Sequence, residues 1–295
     1  MSSNSFLYNR RLFQQDADLH PNDATNAPLS IADVAAALGD LACRFDIDVV
    51  ERCDSSNALL LQRAAAGAPS GSVLVAREQT AGRGRRGRSW LSAPGDSLTF
   101  SLLWRYSAAT SLAGLSLAVG VALARALEQL PLAGLSLKWP NDLLLGEGKL
   151  AGVLIEVVPS DAQAVVIGIG LNLRLPAEMP AELCARSAAL ATALTPLPAV
   201  SDLLARLLVQ LHGVLTSFAA DGFARLRPEW LRRHAHEQRP VQLISDFAAP
   251  LTGVCRGVDQ DGALLLETQA GLQRIISGEI SLRDAVTCAV PRVLQ

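Results

Sequence analysis

The chain has 295 residues, half of them hydrophobic and 18% charged, with a formal net charge of -2. That length holds one large domain with an ample core plus a smaller one, and the composition is that of a soluble globular protein. The near-neutral balance excludes a global attraction to nucleic acid or to an anionic membrane, so positive charge can act only locally.

Met1 to Pro28 is polar and carries the breakers Pro21, Asn22, Asp23, Asn26 and Pro28, with no apolar core of a signal peptide. It reads as a disordered lead-in. Ser30 to Leu41 has helical periodicity, with Ile31, Val34, Ala35 and Leu38 on one face. Val49 to Arg52 is a short strand. Ser55-Ser56-Asn57 precedes an alanine- and leucine-rich helix, Ala58 to Ala66, stopped by Gly67; side chains of this kind cap a helix or, at a strand–helix junction, contact a ligand. Ser72 to Ala76 and Ser97 to Trp104 read as strands.

Between those strands, Gly82-Arg83-Gly84-Arg85-Arg86-Gly87-Arg88-Ser89-Trp90 puts four arginines and three glycines into nine residues. Like charges this close repel, so the segment is costly to order alone, and an arriving anion would neutralise it. Arginine suits phosphate and carboxylate because its planar fork donates two parallel hydrogen bonds. A solvated loop or a nucleic-acid arm has the same composition. The run is short, however, and is built into the middle of a domain, whereas a basic arm usually hangs from a terminus.

Leu112, Leu115, Val119, Ala122, Leu123, Ala126 and Leu127 mark an amphipathic helix that ends before Pro131. Leu112 to Leu130 is the richest apolar stretch, but Arg125 and Glu128 break it, and no run reaches an uninterrupted membrane span. Leu135, Leu137 and Trp139 alternate with Ser136 and Lys138 as in a strand. Lys149 to Val158 and Ala164 to Leu173 are two deeply buried strands joined across Pro159 to Gln163. Leu175 to Ala199 reads as a loop with one short helical turn. Ser201 to Phe218 is a helix, and a second covers Gly222 to His236 with Pro228 kinking it. His234 and His236 are two apart, so a helix points them to different faces and they make a poor metal pair.

After Glu237 come short strands at Val241–Ile244, Leu251–Cys255, Ala263–Glu267 and Leu272–Ile276. Tight turns at Asp261-Gly262 and Ala270-Gly271 join them into a small β-barrel. The five cysteines, Cys43, Cys53, Cys184, Cys255 and Cys288, are odd in number with no Cys-x-x-Cys spacing. This fits a reducing cytoplasm rather than a disulfide framework or zinc site.

Four further pieces carry chemistry. Gln79 is an amide ahead of the arginine loop. Lys138-Trp139-Pro140-Asn141-Asp142 leaves a strand through a proline. Gly148-Lys149-Leu150-Ala151-Gly152 opens the next strand with an ammonium group. Gly168-Ile169-Gly170-Leu171-Asn172 puts small residues in an apolar strand, where glycine often marks close approach of a ligand. Cations, amides and glycines thus gather near strand ends, which suits a ligand with a phosphate chain and a less polar body.

Gly82 to Trp90, Lys138 to Asp142, Gly148 to Gly152 and Gly168 to Asn172 resemble the signature motifs of biotin protein ligases in order and spacing. The resemblance runs from about Ile31 to Arg283 and includes Gly278-Glu-Ile-Ser-Leu-Arg283. It implies an α+β fold: a central, mostly antiparallel or mixed sheet flanked by helices, of the biotin/lipoate ligase, class II synthetase-like type. It also implies a C-terminal SH3-like β-barrel. The expected organisation is a lead-in at 1–28, a catalytic domain at 29–237, the barrel at 238–285 and a tail at 286–295. The implied reaction has two steps. Biotin's carboxylate attacks the α-phosphorus of ATP, with magnesium, giving biotinyl-5′-AMP and pyrophosphate. A lysine of a biotin carboxyl carrier domain then displaces AMP.

By the same resemblance, Ser55, Ser56, Asn57, Gln79, Gly82, Arg83, Gly84, Arg85, Lys149, Gly152, Gly168 and Gly170 surround biotin. Arg85, Arg86, Trp90, Asn141, Asp142 and Asn172 lie on the nucleotide side, and Lys149, Arg85 and Asp142 are the catalytic candidates. Carboxylate meeting polyphosphate is anion against anion; at roughly 4 Å and an effective dielectric of about 20 each unit pair costs on the order of 4 kcal/mol, so several cations are required.

Two departures stand out. The family's Ser-Thr-Asn is Ser55-Ser56-Asn57 here, and no aromatic lies between Arg174 and Phe218, where the family often covers adenine. Trp90 is the stacking residue expected in its place. Some members carry an N-terminal winged helix and repress transcription. About thirty residues precede Ile31, too few for one, so the expectation is a cytoplasmic ligase that binds neither DNA nor membrane. A homodimer stays open. A lipoate or octanoyl transferase and a nucleic-acid module are the competing readings.

Overall fold

The computed structural model describes residues 28–159, 161–245, 249–276 and 280–284. The lead-in at 1–27, the tail beyond 284, Cys288 and Gly278-Glu279 of the last motif lie outside the described residues. The chain runs α1 (Ile31–Leu38), β1 (Asp46–Cys53), α2 (Ser56–Ala65), β2 (Ser72–Gln79), β3 (Ser97–Arg105), α3 (Leu115–Leu127), β4 (Leu135–Lys138), β5 (Asp142–Leu145), β6 (Gly148–Val158) and β7 (Asp161–Asn172). It continues with α4 (Ala181–Cys184), α5 (Val200–Asp221), α6 (Arg227–Arg232), β8 (Pro240–Ser245), β9 (Leu251–Val258), β10 (Leu264–Thr268), β11 (Gly271–Ile275) and β12 (Ile280–Asp284).

The first seven strands form one mixed sheet in the order β1-β2-β3-β7-β6-β5-β4, with only β1 and β2 parallel. Helices cover both faces. On one side α3 packs on β4, β5 and β6, and α5 and α1 stack behind it; on the other, α2 lies over β2, β3, β7 and β6. Strand β7 shows how the sequence sets this. Val165, Ile167, Ile169 and Leu171 belong to the large core under α3, whereas Ala164 and Val166 belong to the small core under α2. The period-2 alternation then places Gly168 and Gly170 on the α2 face, beyond the end of that small core.

Four expectations need correction. The α3 helix does not include Leu112: it starts after Gly114, whose φ of 77° places it in the left-handed region, and a Cβ there would lie 2.6 Å from Phe223 Cβ. The segment after α5 is no long helix kinked by Pro228; Pro228 sits in the first turn of the six-residue α6, where its missing N–H costs nothing. Ile31 is 45% exposed, so the buried stripe of α1 narrows to Val34 and Leu38. The helix long and apolar enough to cross a membrane, by length and composition, is α5 rather than Leu112 to Leu130. Its leucines Leu204, Leu207, Leu208, Leu211 and Leu215 are buried in the core against α3 and α1.

The C-terminal strands make a five-stranded antiparallel sheet, β11-β10-β9-β8-β12. Its Val241, Leu243, Cys255, Val258, Leu264 and Leu266 join the large core. Trp139 Nε1 donates to the Gly262 carbonyl at 3.1 Å, and Arg227 Nε to that of Val258 at 2.6 Å. A Cβ on Gly262 would fall 2.9 Å from Gly114 Cα. The connection past α6 also extends the main sheet: Leu137 N donates to Arg233 O at 2.6 Å and Ala235 N to Leu137 O at 2.9 Å.

Candidate active site

The site lies on the α2 face. Ser55 caps α2, its Oγ accepting from Ala58 N at 3.4 Å, so the junction residues do perform the capping role. Ser56 N donates to Gln79 Oε1 at 2.7 Å. Ser101 Oγ sits 2.8 Å from Ser56 Oγ and donates to Asn57 Oδ1 at 2.6 Å. Asn57 Nδ2 in turn donates to Leu154 O at 3.2 Å and Glu156 Oε2 at 2.9 Å. A Cβ on Gly168 would lie 2.3 Å from Asn57 Oδ1, which is why this strand position carries glycine.

The arginine loop folds over this cluster as a small hairpin. Trp90 N donates to Gly82 O at 2.8 Å and Gly84 N to Arg88 O at 2.7 Å, while Arg85 to Gly87 make a single 3₁₀ turn with Arg86 at φ 61°. A Cβ on Gly82 would meet Trp90 O at 2.4 Å, so glycine is what lets the two ends close. The fold supplies acceptors of its own to this charge: Arg83 Nη2 reaches Glu156 Oε2 at 3.1 Å and Arg85 Nη1 reaches Asn141 Oδ1 at 3.2 Å. Burial pulls the Arg85 guanidinium below its ordinary value, with Asp142 pulling back and Arg86 and Arg88 adding to the fall.

The Trp90 indole packs against β7 at Gly170. A Cβ on Gly170 would fall 2.2 Å from its Cε2, and one on Gly152 3.4 Å from its Cζ3 and 2.9 Å from Lys149 Nζ. Lys149 Nζ is 5.6 Å from the Trp90 ring centroid and 2.7 Å from Asp142 Oδ1.

Two cavities share this wall. A narrow pocket of about 50 Å³ is lined by Ser55, Ser56, Asn57, Gln79, Arg83, Gly84, Arg85, Lys149, Gly152, Gly168 and Gly170, and also by Thr99 and Trp90. A broad cleft of about 850 Å³ is lined by Arg85, Arg86, Trp90, Asn141, Asp142 and Asn172. Gly84, Arg85, Trp90, Asn141 and Lys149 line both. Of the residues expected around the pocket, Gly82 alone does not line it. Asn172 lines the cleft, yet its amide Nδ2 donates to Lys149 O at 3.1 Å and Ala188 O at 3.0 Å, so it holds backbone in place.

Sequence reading missed Thr99, Ser101 and Glu156. Each sits at an alternate position of a strand whose apolar character dominated; pairing of Thr99 and Ser101 with Gly170 and Gly168, and of Glu156 with Val166, brings them to the α2 face. It also missed the lip formed by Met179, Leu183 and Arg186, and the junction residues His234, His236 and Arg239. The two histidines lie beyond the end of α6 and not on opposite helix faces; both are buried, with ring centroids 6.1 Å apart. Among the described residues no group of three or more His, Cys, Asp or Glu could hold a metal ion.

A narrow pocket rich in hydroxyls, amides and glycines thus opens beside a broad cleft lined by several cations, Arg85, Arg86, Lys138 and Lys149 among them. Residues 49–172 match the Biotin/lipoate A/B protein ligase family, and residues 239–283 match the Biotin protein ligase C terminal domain. The chain is 36% identical over 261 residues to the bifunctional ligase/repressor BirA of Escherichia coli strain K12, spanning 88% of this chain and 80% of that one. It is likewise 36% identical to the biotin–[acetyl-CoA-carboxylase] ligase of Paracoccus denitrificans, spanning 79% and 98% respectively. The solved biotin protein ligase of Aquifex aeolicus, in complex with biotin and ATP, superposes with a TM-score of 0.73 at 30% identity, covering 81% of this chain and 99% of that one. The chain belongs to the biotin protein ligases.

Proposed function

We propose that the narrow pocket holds biotin and the broad cleft holds ATP, and that the two react across the wall they share. The observation that carries this reading is the common lining, with Lys149 and Arg85 facing both cavities. The hydroxyls and amides of Ser55, Ser56, Asn57, Gln79 and Thr99 suit a neutral ureido ring, which needs hydrogen bonds and no counter-charge. Biotin's carboxylate then points to Lys149 and Arg85. One carboxylate oxygen bonds to the α-phosphorus, the bond from that phosphorus to the bridging oxygen breaks, and pyrophosphate leaves with the electron pair. The cations offset the repulsion between the reactants and the charge gathering on the leaving group. Asp142 holds Lys149 in line by their ion pair and stands where an incoming lysine would need a proton acceptor.

Asp142 and Glu147 both line this cleft but lie at opposite ends of β5, and among the described residues no group of three or more His, Cys, Asp or Glu forms a metal site. Magnesium would therefore come held by the triphosphate oxygens and water, with at most one of these carboxylates reaching it. When bound it would screen the triphosphate and polarise the phosphoryl oxygens.

The acceptor is a lysine of a biotin carboxyl carrier domain. Ligation without operator binding is the second part of the reading. The Paracoccus denitrificans relative, of which the chain spans 98%, bears the ligase name alone. Purified protein with biotin, Mg-ATP and a carrier domain is expected to release pyrophosphate and add one biotin mass to the carrier. Absence of both with an active carrier would end the reading. Greater thermal stabilisation by lipoate than by biotin would favour the related lipoate chemistry instead.

A further inference from the structure

We propose that Arg186 is a phosphate-binding residue of the cleft, gripping the part of the triphosphate that departs as pyrophosphate. This rests on the reading of the cleft as the ATP site.

The segment after α4 is seated firmly against the start of β6. Lys149 N donates to Arg186 O at 2.8 Å and Ala188 N to Lys149 O at 2.9 Å. Asn172 clamps the same stretch from below through Lys149 O and Ala188 O. Gly148 has no side chain for the same reason: a Cβ there would lie 2.8 Å from the carbonyl carbon and oxygen of Ser187. Backbone pairing thus fixes Arg186 beside Lys149, on the wall of the cleft.

The three cations near this wall, Lys149, Arg85 and Arg186, differ in what they already hold. Lys149 is half-buried and paired with Asp142, and Arg85 is tied to Asn141. The Arg186 guanidinium is exposed at the mouth and makes no hydrogen bond or ion pair with another described residue. From the shared wall outward, the order is therefore Lys149, then Arg186. A triphosphate entering with its α-phosphorus at the wall presents its outer phosphates at the level of Arg186. A guanidinium held by its backbone and with unused donors is suited to bind them bidentately.

The test separates the two half-reactions in the full-length protein. Pyrophosphate release with biotin and Mg-ATP measures the first; label transfer from preformed biotinyl-5′-AMP to the carrier measures the second. For Arg186→Ala, kcat/KM for ATP in the first half-reaction is expected to fall about 10- to 100-fold, the loss of one charge-assisted contact. The KM for biotin and the transfer step are expected to stay at parental values, and Arg186→Lys is expected to recover part of the loss. Parental ATP kinetics in Arg186→Ala, or equal losses in both half-reactions, would overturn the proposal while leaving the site assignment standing. Failure of the parent itself to release pyrophosphate would remove the assignment and the proposal together.

Discussion

Lys149 and Asp142 form an ion pair, Nζ to Oδ1 2.7 Å, with the side chains 36% and 23% exposed. They come from adjacent antiparallel strands, β5 and β6, and the pair sits where pocket and cleft meet. For stability alone a half-exposed pair of this kind is worth about 1 kcal/mol or less, and under the proposed function its ammonium meets the reacting groups. Removing the ammonium is expected to slow pyrophosphate release about 10²- to 10³-fold in Lys149→Ala, the usual scale for losing a preorganised charge at a developing anion. Biotin binding by calorimetry is expected to change far less. Asp142→Asn keeps the ammonium but loses its anchor, so its first-step loss should be smaller. Normal pyrophosphate release by Lys149→Ala would dismiss the role.

Gly170 and Trp90 give a packing prediction. A methyl on Gly170 lands 2.2 Å from the indole Cε2, too close for the half-buried Trp90 ring to keep its place. Gly170→Ala is expected to cost about 1–3 kcal/mol by overpacking and to weaken biotin binding as the ring is pushed aside. In a Trp90→Ala background most of that stability cost should vanish, because coupled contacts are not additive. Urea unfolding of the four proteins tests it; additive losses would place the clash elsewhere.

The glycine pattern also shows how far the sequence could be read. Gly168 and Gly170 stand out in an apolar strand, and their spacing alone marks a close approach. What they approach was not readable: Asn57 arrives from α2 and Trp90 from the arginine loop, both distant in sequence. The arginine loop itself was legible from its composition, while Glu156, which receives Arg83, sits in an apolar strand as a single carboxylate. Strand β5 was missed because Asp142 to Leu145 is only four residues long, and its partner β4 supplies the pattern. The 179–187 lip carries no periodicity; backbone pairing to Lys149, not propensity, defines it.

A pH dependence follows from the junction. The His234 side chain is fully buried, its ring tilted against Trp230 with centroids 4.4 Å apart. Its Nδ1 is 3.2 Å from Glu237 Oε2, its Nε2 3.9 Å from Cys255 Sγ, and the His236 ring is also close. Burial pulls His234 below its ordinary value, with Glu237 pulling the other way; burial likewise pushes the Cys255 thiol up to about 11. The unfolded chain takes up a proton near pH 6.5 that the native state refuses, so the contribution is whole above about pH 6.5 and is lost as pH falls toward the native value. One such group contributes a slope of at most about 1.4 kcal/mol per pH unit. His212 is lowered by burial too, then by Arg44, and adds the same sign. His234→Phe is expected to flatten the fall in urea stability between about pH 7 and 5 relative to the parent. An equal slope in both would remove His234 as its source.

Gly213 offers a stabilising change. It lies exposed within α5, and a Cβ there would meet nothing within 4 Å. Gly213→Ala is expected to raise unfolding stability by about 0.5–1 kcal/mol, because alanine loses less backbone entropy in a helix. Thermal unfolding would show the gain, and a fall in midpoint would mean the site is tighter than its geometry implies.

The Arg233–Ala235 stretch beside Leu137 has an architectural result. It occupies the N–H and carbonyl that Leu137 would otherwise present at the β4 edge, so among the described residues the opposite edge, β1, is the margin more open to a further strand. Asp46, Asp48, Glu51 and Arg52 stud that margin with charge, which discourages indiscriminate templating. Among the described residues, a second copy that enlarged the main sheet at this edge would pair β1 with β1, and a two-fold pairing of that kind closes on itself instead of propagating.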